Sequence, residues 1–284
     1  TLTIRMMKVP TPLNFILTAL FGFGLMVAEQ ATSQTILRAS HQFPGSTGDV
    51  RDEMLQIIAQ EVETADVGLT IRVYPGQSLF RATDQWSALV RGRLDIALLP
   101  LDYASGRHPE FSATLMPGLV KNHDHARRLN DSPFMEDIKA IINEEGARVL
   151  TDAWLAGGFT SSERCILWPD DIQGQVIRAA GPAFERMMVA AGASITSMPS
   201  SEIYTAMQTG VLDAASTSSA SFVTFRIHEH SECLTSEETA SGAGASNDRQ
   251  ARFYGFIEEN IGVTFYISKF IFQVLKLLFI VLNY

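Results

Sequence analysis

One local pattern occurs twice in this chain: Trp86, Ala88, Gly92, Leu94, Asp95 and Ala97, then Tyr204, Ala206, Gly210, Leu212, Asp213 and Ala215. Each copy reads as a helix stopped by glycine and delivered straight into a strand, because glycine tolerates the left-handed dihedrals of a helix exit. A chain that repeats this unit in each half is expected to build two similar α/β lobes. Lobes of that kind bind ligands in the crevice beyond their strand ends.

The chain has 284 residues, 46% of them hydrophobic, enough for a sizeable core in one large or two medium domains. Its formal charge is -9 and no basic run tracks a phosphate backbone, which argues against nucleic acid as a partner. An anionic ligand would need a local cation to offset the overall field, so single arginines carry weight. Arg5 and Lys8, the apolar run Leu13 to Val27 and the small-x-small site Ala31-Thr32-Ser33 form the three parts of a secretory signal. Residues 1–33 are therefore expected to direct export to the periplasm, an uncleaved membrane anchor being the alternative. The two cysteines, Cys165 and Cys233, form no Cys-x-x-Cys motif. An exported domain of this size does not need a bridge, and spacing alone does not show that the two Cβ atoms meet, so no disulfide is expected.

Residues 34–153 read as a first lobe. Thr35 to Ala39 is a strand, and Ser46 or Thr47 then caps a helix whose apolar face is Val50, Met54, Leu55, Ile58 and Val62. Leu69 to Tyr74 alternates like a strand, Pro75-Gly76 turns it, and the first repeat copy follows, an order that favours a parallel sheet. Arg148 to Ala153 is a strand broken by Ala156-Gly157-Gly158, with a polar stretch after it. Residues 154–235 read as a second lobe: strand Gln175 to Ala179, a helix from Pro182 with Phe184, Met187 and Met188 inward, strand Ile195 to Met198, and the second repeat copy. Residues 236–284 read as a linker and an atypical apolar tail. Ile261 to Leu282 contains Lys269, Gln273 and Lys276, and three readings stay open for it: a spanning helix, a buried helix or an aberrant reading frame.

The segment Asp171-Ile172-Gln173-Gly174-Gln175-Val176-Ile177-Arg178 resembles the Asp-x-x-Gly-x-x-x-Arg element of the solute receptors of tripartite ATP-independent periplasmic (TRAP) transporters, the DctP-like family. Met198-Pro199, Glu202-Ile203-Tyr204 and Ala206 to Asp213 resemble the same family's proline, helix and Gly-x-x-Asp sequence. Tyr74 to Leu79 and Gly92 to Asp95 resemble its first-lobe signature, so the likeness runs from about Thr35 to Leu234. It implies a two-lobe periplasmic-binding-protein-like fold that closes on a small organic acid and passes it to membrane permease subunits, without catalysis or a cofactor. It also implies that Arg178 grips the carboxylate, a task suited to a planar guanidinium fork. By position, His41, Tyr103, Ser200 and Thr217 are further pocket candidates, with Trp154 and Phe159 as an aromatic wall. Loop capping, edge cover, helix capping and core packing are the plain alternatives for these residues.

Two departures from the family pattern bear on the ligand and the fold. Many such receptors have a second arginine upstream of the central one, near where Gly158 stands here, and an asparagine where Thr217 stands. One fewer cation points to a monocarboxylate, with room for an apolar body. The stretch Ser236 to Tyr284 does not resemble the family's C-terminal part, and a frameshift or truncation that leaves the first lobe partly uncovered is the expectation. Rival functions are an exported sensor module and an exported hydrolase, but no Gly-x-Ser-x-Gly elbow supports the latter. The pairs His123-x-His125 and His228-x-His230 lie in stretches read as helical, where two-residue spacing does not converge on a metal.

Overall fold

The computed structural model describes residues 34–235 and the strand Ile261–Ser268; the expected signal segment and most of the tail lie outside the described residues. In chain order the elements are β1 (Thr35–His41), α1 (Val50–Thr64), β2 (Leu69–Tyr74), α2 (Gln85–Val90), β3 (Ile96–Pro100), α3 (His123–Asn130), α4 (Pro133–Glu144) and β4 (Ala147–Leu155). They continue with β5 (Gly157–Ser161), β6 (Val176–Ala179), α5 (Pro182–Ala190), β7 (Ser194–Ser197), α6 (Ile203–Gln208), β8 (Ala214–Ser218), α7 (Ser219–Thr224), β9 (Cys233–Thr235) and β10 (Ile261–Ser268).

These strands form two five-stranded sheets, ordered β2-β1-β3-β10-β4 and β7-β6-β8-β5-β9. The two orders follow one plan. In the first, β1 lies parallel to β2 and β3, and β10 lies antiparallel to β3 and β4. In the second, β6 lies parallel to β7 and β8, and β5 lies antiparallel to β8 and β9.

The repeated sequence pattern becomes a repeated set of hydrogen bonds. Gly92 and Gly210 have φ of 69° and 70°, the left-handed exit that glycine permits. Arg93 N–H then donates to the Ala88 carbonyl at 2.8 Å, and Val211 N–H donates to Ala206 at 2.8 Å. The aspartate three residues after each glycine clamps the neighbouring parallel strand in both directions. Asp95 accepts from Arg38 N–H at 2.7 Å and returns its own N–H to the Arg38 carbonyl at 3.1 Å. Asp213 does the same with Val176, at 2.7 and 2.9 Å.

The cores follow from the apolar spacing. Leu55 of α1 packs with Leu37, Ala39, Ile71, Ile96 and Leu98, while Phe184 and Met188 of α5 pack with Ile177 and Phe159. Burial of such side chains stabilises each sheet by roughly 1.5–3 kcal/mol per residue.

Several expectations are corrected. The cap of α1 is Asp49, whose side chain accepts from Arg51 N–H, and not Ser46 or Thr47. The strand β4 does end before Gly157, at Leu155, and the chain passes there to the second sheet, but Gly157-Gly158 already belongs to β5, buried along its length between β8 and β9, which satisfy its backbone on both sides. The first sheet takes in Trp154 and Leu155, and it also receives a strand from the 236–284 tail. Ile261–Ser268 is extended where a helix was one reading. A short apolar run fits either state, and its β-branched and aromatic residues suit a strand held between two others. Among the described residues no helix is long and apolar enough to cross a membrane.

The cysteines also pair against expectation: Cys165 and Cys233 form a disulfide with their Cα atoms 5.0 Å apart. The bridge ties β9 to the segment leaving β5, beside the register pair Ser161–Cys233. Their separation is 68 residues, a loop whose closure restricts the unfolded chain by about 4 kcal/mol. Replacing both cysteines by alanine is expected to lower the unfolding free energy by about 2–4 kcal/mol in denaturant titration, with the loss concentrated in the second sheet. An unchanged midpoint would remove the bridge from the account of stability.

Candidate functional site

Arg178 occupies the third position of β6 and is only 2% exposed. Its Nε donates to the Met198 carbonyl at 2.9 Å and its Nη1 to the Ser216 carbonyl at 2.7 Å, so the chain after β7 and the strand β8 hold the guanidinium from both sides. Its Nη2 donates to the hydroxyl of Tyr103 at 3.3 Å. Tyr103 belongs to the turn that follows β3, so this bond crosses from the second sheet to the elements of the first. The same hydroxyl accepts from Ser200 N–H at 3.0 Å and from Gln42 Nε2 at 3.2 Å.

Two cavities meet this pair, and Arg178 and Tyr103 line both. The larger, about 380 Å³, is also walled by Asp102, Ser105, Glu185 and Met198. The smaller, about 20 Å³, lies among Phe43, Arg51, Leu115, Ser200 and Thr217. A space of that size holds about one water molecule.

A second buried guanidinium reaches across from the other direction. Arg51, 2% exposed in the first turn of α1, is neutralised by Asp49 at 2.6 Å. Its Nη1 donates to Ser218 at 3.2 Å and Ser221 at 2.9 Å, and its Nη2 to Thr224 at 3.2 Å. Its plane lies over the Phe43 ring, 3.8 Å from the centroid. Burial opposes ionisation of Asp49, but the hydrogen bonds and charge of Arg51 outweigh it and hold the carboxyl below its usual pKa. Gly158 pairs with Thr217 across β5 and β8, and Arg51 binds Ser218, the next residue. Two arginines, not one, stand at the cleft, although one already carries its counter-ion.

Asp102 is a further buried acid, 5% exposed, with Oδ1 lacking a hydrogen-bond partner. It lies against Gly181, where any Cβ would collide with the carboxyl, so the φ of 103° there is tied to close contact between the lobes. Burial pushes its pKa up to about 7; the charge of Arg178 works against this and that of Glu185 adds to it.

Four of the seven expected site residues come together: Arg178, Tyr103, Ser200 and Thr217. The other three line neither cavity. His41 is fully buried, with Nε2 on Asp52 at 3.0 Å and Nδ1 accepting from Phe43 N–H at 3.2 Å, so both ring nitrogens serve the loop before α1. Burial lowers its pKa despite the attraction of Asp52. Trp154 donates to Asn130 at 2.7 Å and packs with Val120, Ala126 and Leu129. Phe159 sits in the core of the second sheet with Ile177 and Phe184. Gln42, Arg51 and Asp102 were missed. An acid inside the run Leu98 to Tyr103 was a usable signal for Asp102, but the partners of Arg51 lie 167 to 173 positions away.

The raised pKa of Asp102 has a definite sign. Between pH 4 and 7 the folded chain keeps a proton that the unfolded chain has released, so stability falls as pH rises through that window, by about 4 kcal/mol at most. Asp102→Asn carries no such penalty. Its stability relative to the parent is expected to improve between pH 5 and pH 8 in guanidinium titrations, and an equal difference at both pH values would contradict the assignment.

Comparison with known proteins places this geometry. The model of bacterial extracellular solute-binding protein, family 7 (DctP), matches residues 46–244. A solute-binding protein of Albidiferax ferrireducens is 40% identical over 209 residues, covering 72% of this chain and 62% of that protein. The sialic acid-binding periplasmic protein of Vibrio cholerae is 26% identical, over 72% of this chain and 64% of its own length. The chain thus spans less than two thirds of these relatives. Among solved structures, a TRAP periplasmic solute-binding protein from Rhodoferax ferrireducens with bound malonate aligns with TM-score 0.75 and 36% identity, over 84% of this chain and 71% of that one. A TRAP periplasmic solute-binding protein of Sulfurospirillum deleyianum with bound succinate has TM-score 0.71 over 85% and 72% of the two chains; at 22% identity it speaks to the fold alone.

Proposed function

The chain belongs to bacterial extracellular solute-binding protein family 7, and from that premise we propose that it is an exported receptor that captures a small organic acid on Arg178. One observation carries the reading. Among the described residues Arg178 is buried with neutral partners only, two carbonyls and a phenol, whereas Arg51 has its carboxylate in Asp49. A buried cation whose hydrogen bonds all go to neutral acceptors, with the nearby charge of Asp102 reduced by its raised pKa, is costly, and a ligand carboxylate that makes charge-assisted hydrogen bonds to it offsets that cost.

The larger cavity supports an acid with one carboxylate at Arg178. Glu185 on its wall would face a second carboxylate with like charge. Malonate in the Rhodoferax protein belongs to that protein, and a dicarboxylate therefore belongs in any test. Contacts from both lobes around the bound acid favour the closed state through differential affinity, and membrane permease subunits of a TRAP transporter take up the released acid in the periplasm.

The test is calorimetry of the full chain with malonate, L-lactate, pyroglutamate and galacturonate after a thermal-shift screen. At least one acid is expected to bind, and Arg178→Lys, which keeps the charge but not the fork, should weaken that binding at least tenfold. Unchanged affinity in a variant that melts like the parent would refute the role of Arg178.

A further inference from the structure

Three N–H donors converge on one oxygen at the lobe boundary. Arg178 Nη2, Ser200 N–H and Gln42 Nε2 all point to the hydroxyl of Tyr103, at 3.3, 3.0 and 3.2 Å. A phenol oxygen offers at most two lone pairs and also carries a proton of its own, so three donors exceed what it accepts well. A carboxylate brings two oxygens with about four acceptor sites and no proton, and its bond to a guanidinium is roughly twice as strong as a neutral one. The donor set therefore matches an anion better than the group it now holds.

The provenance of the donors fits a site shared by two moving lobes. Gln42 and Tyr103 follow β1 and β3 of the first sheet; Arg178 and Ser200 stand on β6 and after β7 of the second. Ser200 opens the short helical stretch before α6, and the Ser201 hydroxyl donates to Gln42 Oε1 at 3.2 Å, which turns the Gln42 amide so that its NH₂ faces the phenol. Tyr103 also lines both cavities, so the 380 Å³ space lies directly beside its ring.

Resting on the reading of Arg178 as the carboxylate anchor, we propose that Gln42 Nε2, the Ser200 N–H and Arg178 Nη2 form the seat of one ligand carboxylate oxygen, and that the Tyr103 hydroxyl is a built-in surrogate that the acid displaces. Tyr103 then acts as a competitor and not as a ligand donor. In the ligand-free closed form it satisfies the nest and bridges the lobes; binding exchanges three hydrogen bonds to a phenol for charge-assisted ones to an acid.

This assignment fixes the sign of a mutational effect. Removing the hydroxyl with Tyr103→Phe leaves the nest unfilled before binding, so affinity for whichever of malonate, L-lactate, pyroglutamate or galacturonate binds the parent should rise by roughly five- to tenfold. Gln42→Glu preserves shape but turns a donor into a negative acceptor, and should weaken the same acid by more than tenfold. Both variants are measured by calorimetry on the full chain, with circular dichroism and ligand-free melting to establish that each is folded. Unchanged or weaker binding by Tyr103→Phe overturns the surrogate role, as does unchanged binding by Gln42→Glu, even where Arg178→Lys behaves as an anchor variant should. If the parent binds none of the four acids, the anchor reading falls and the nest falls with it.

Discussion

The central constraint on this molecule is a guanidinium removed from water and hydrogen-bonded only to neutral acceptors. Arg178 keeps its place because two backbone carbonyls and a phenol take its hydrogen bonds, yet neutral acceptors compensate a buried positive charge only in part. The second sheet presents that charge at the ends of its parallel strands. The first sheet supplies Tyr103 to cover it. At the lobe boundary the side chain is 2% exposed, shielded by elements of both sheets.

The contrast between the two buried arginines gives the cleft its character. Arg51 brings Asp49 with it and spends its remaining donors on Ser218, Ser221 and Thr224 across the boundary, so it fastens the lobes without seeking an anion. Asp102 does the opposite. It places a carboxyl with a raised pKa against Gly181, so that closeness of the lobes and loss of negative charge go together. The three side chains thus differ in how their charge is met: by a carboxylate at Arg51, by neutral acceptors at Arg178 and by a raised pKa at Asp102.

The parts of the fold visible in the sequence were those with local causes. Gly92 and Gly210 need a left-handed exit, Asp95 and Asp213 need a backbone to clamp, and those demands survive as a spacing that can be read directly. Arg178 was singled out through its motif, and Tyr103, Ser200 and Thr217 through their positions after strands or in a helix entry, and these four line the cavities. What escaped depended on distant partners. Nothing near Cys165 announces Cys233, nothing near Arg51 announces α7, and the run from Ile261 looks alike as a helix or a strand until β3 and β4 stand on either side of it. His41, Trp154 and Phe159 were misplaced for a related reason: burial after a strand looks the same for a ligand contact as for a core contact.

The placement of β10 sets the order in which the molecule can be completed. The described strands of the second sheet all lie between Gly157 and Thr235, so each of them is available once residue 235 has been made. The first sheet starts earlier but holds a gap between β3 and β4 until Ile261–Ser268 arrives. The lobe made first is therefore finished last, and until then β3 and β4 present bare edges to whatever is nearby, which makes late synthesis the stage most exposed to mispairing.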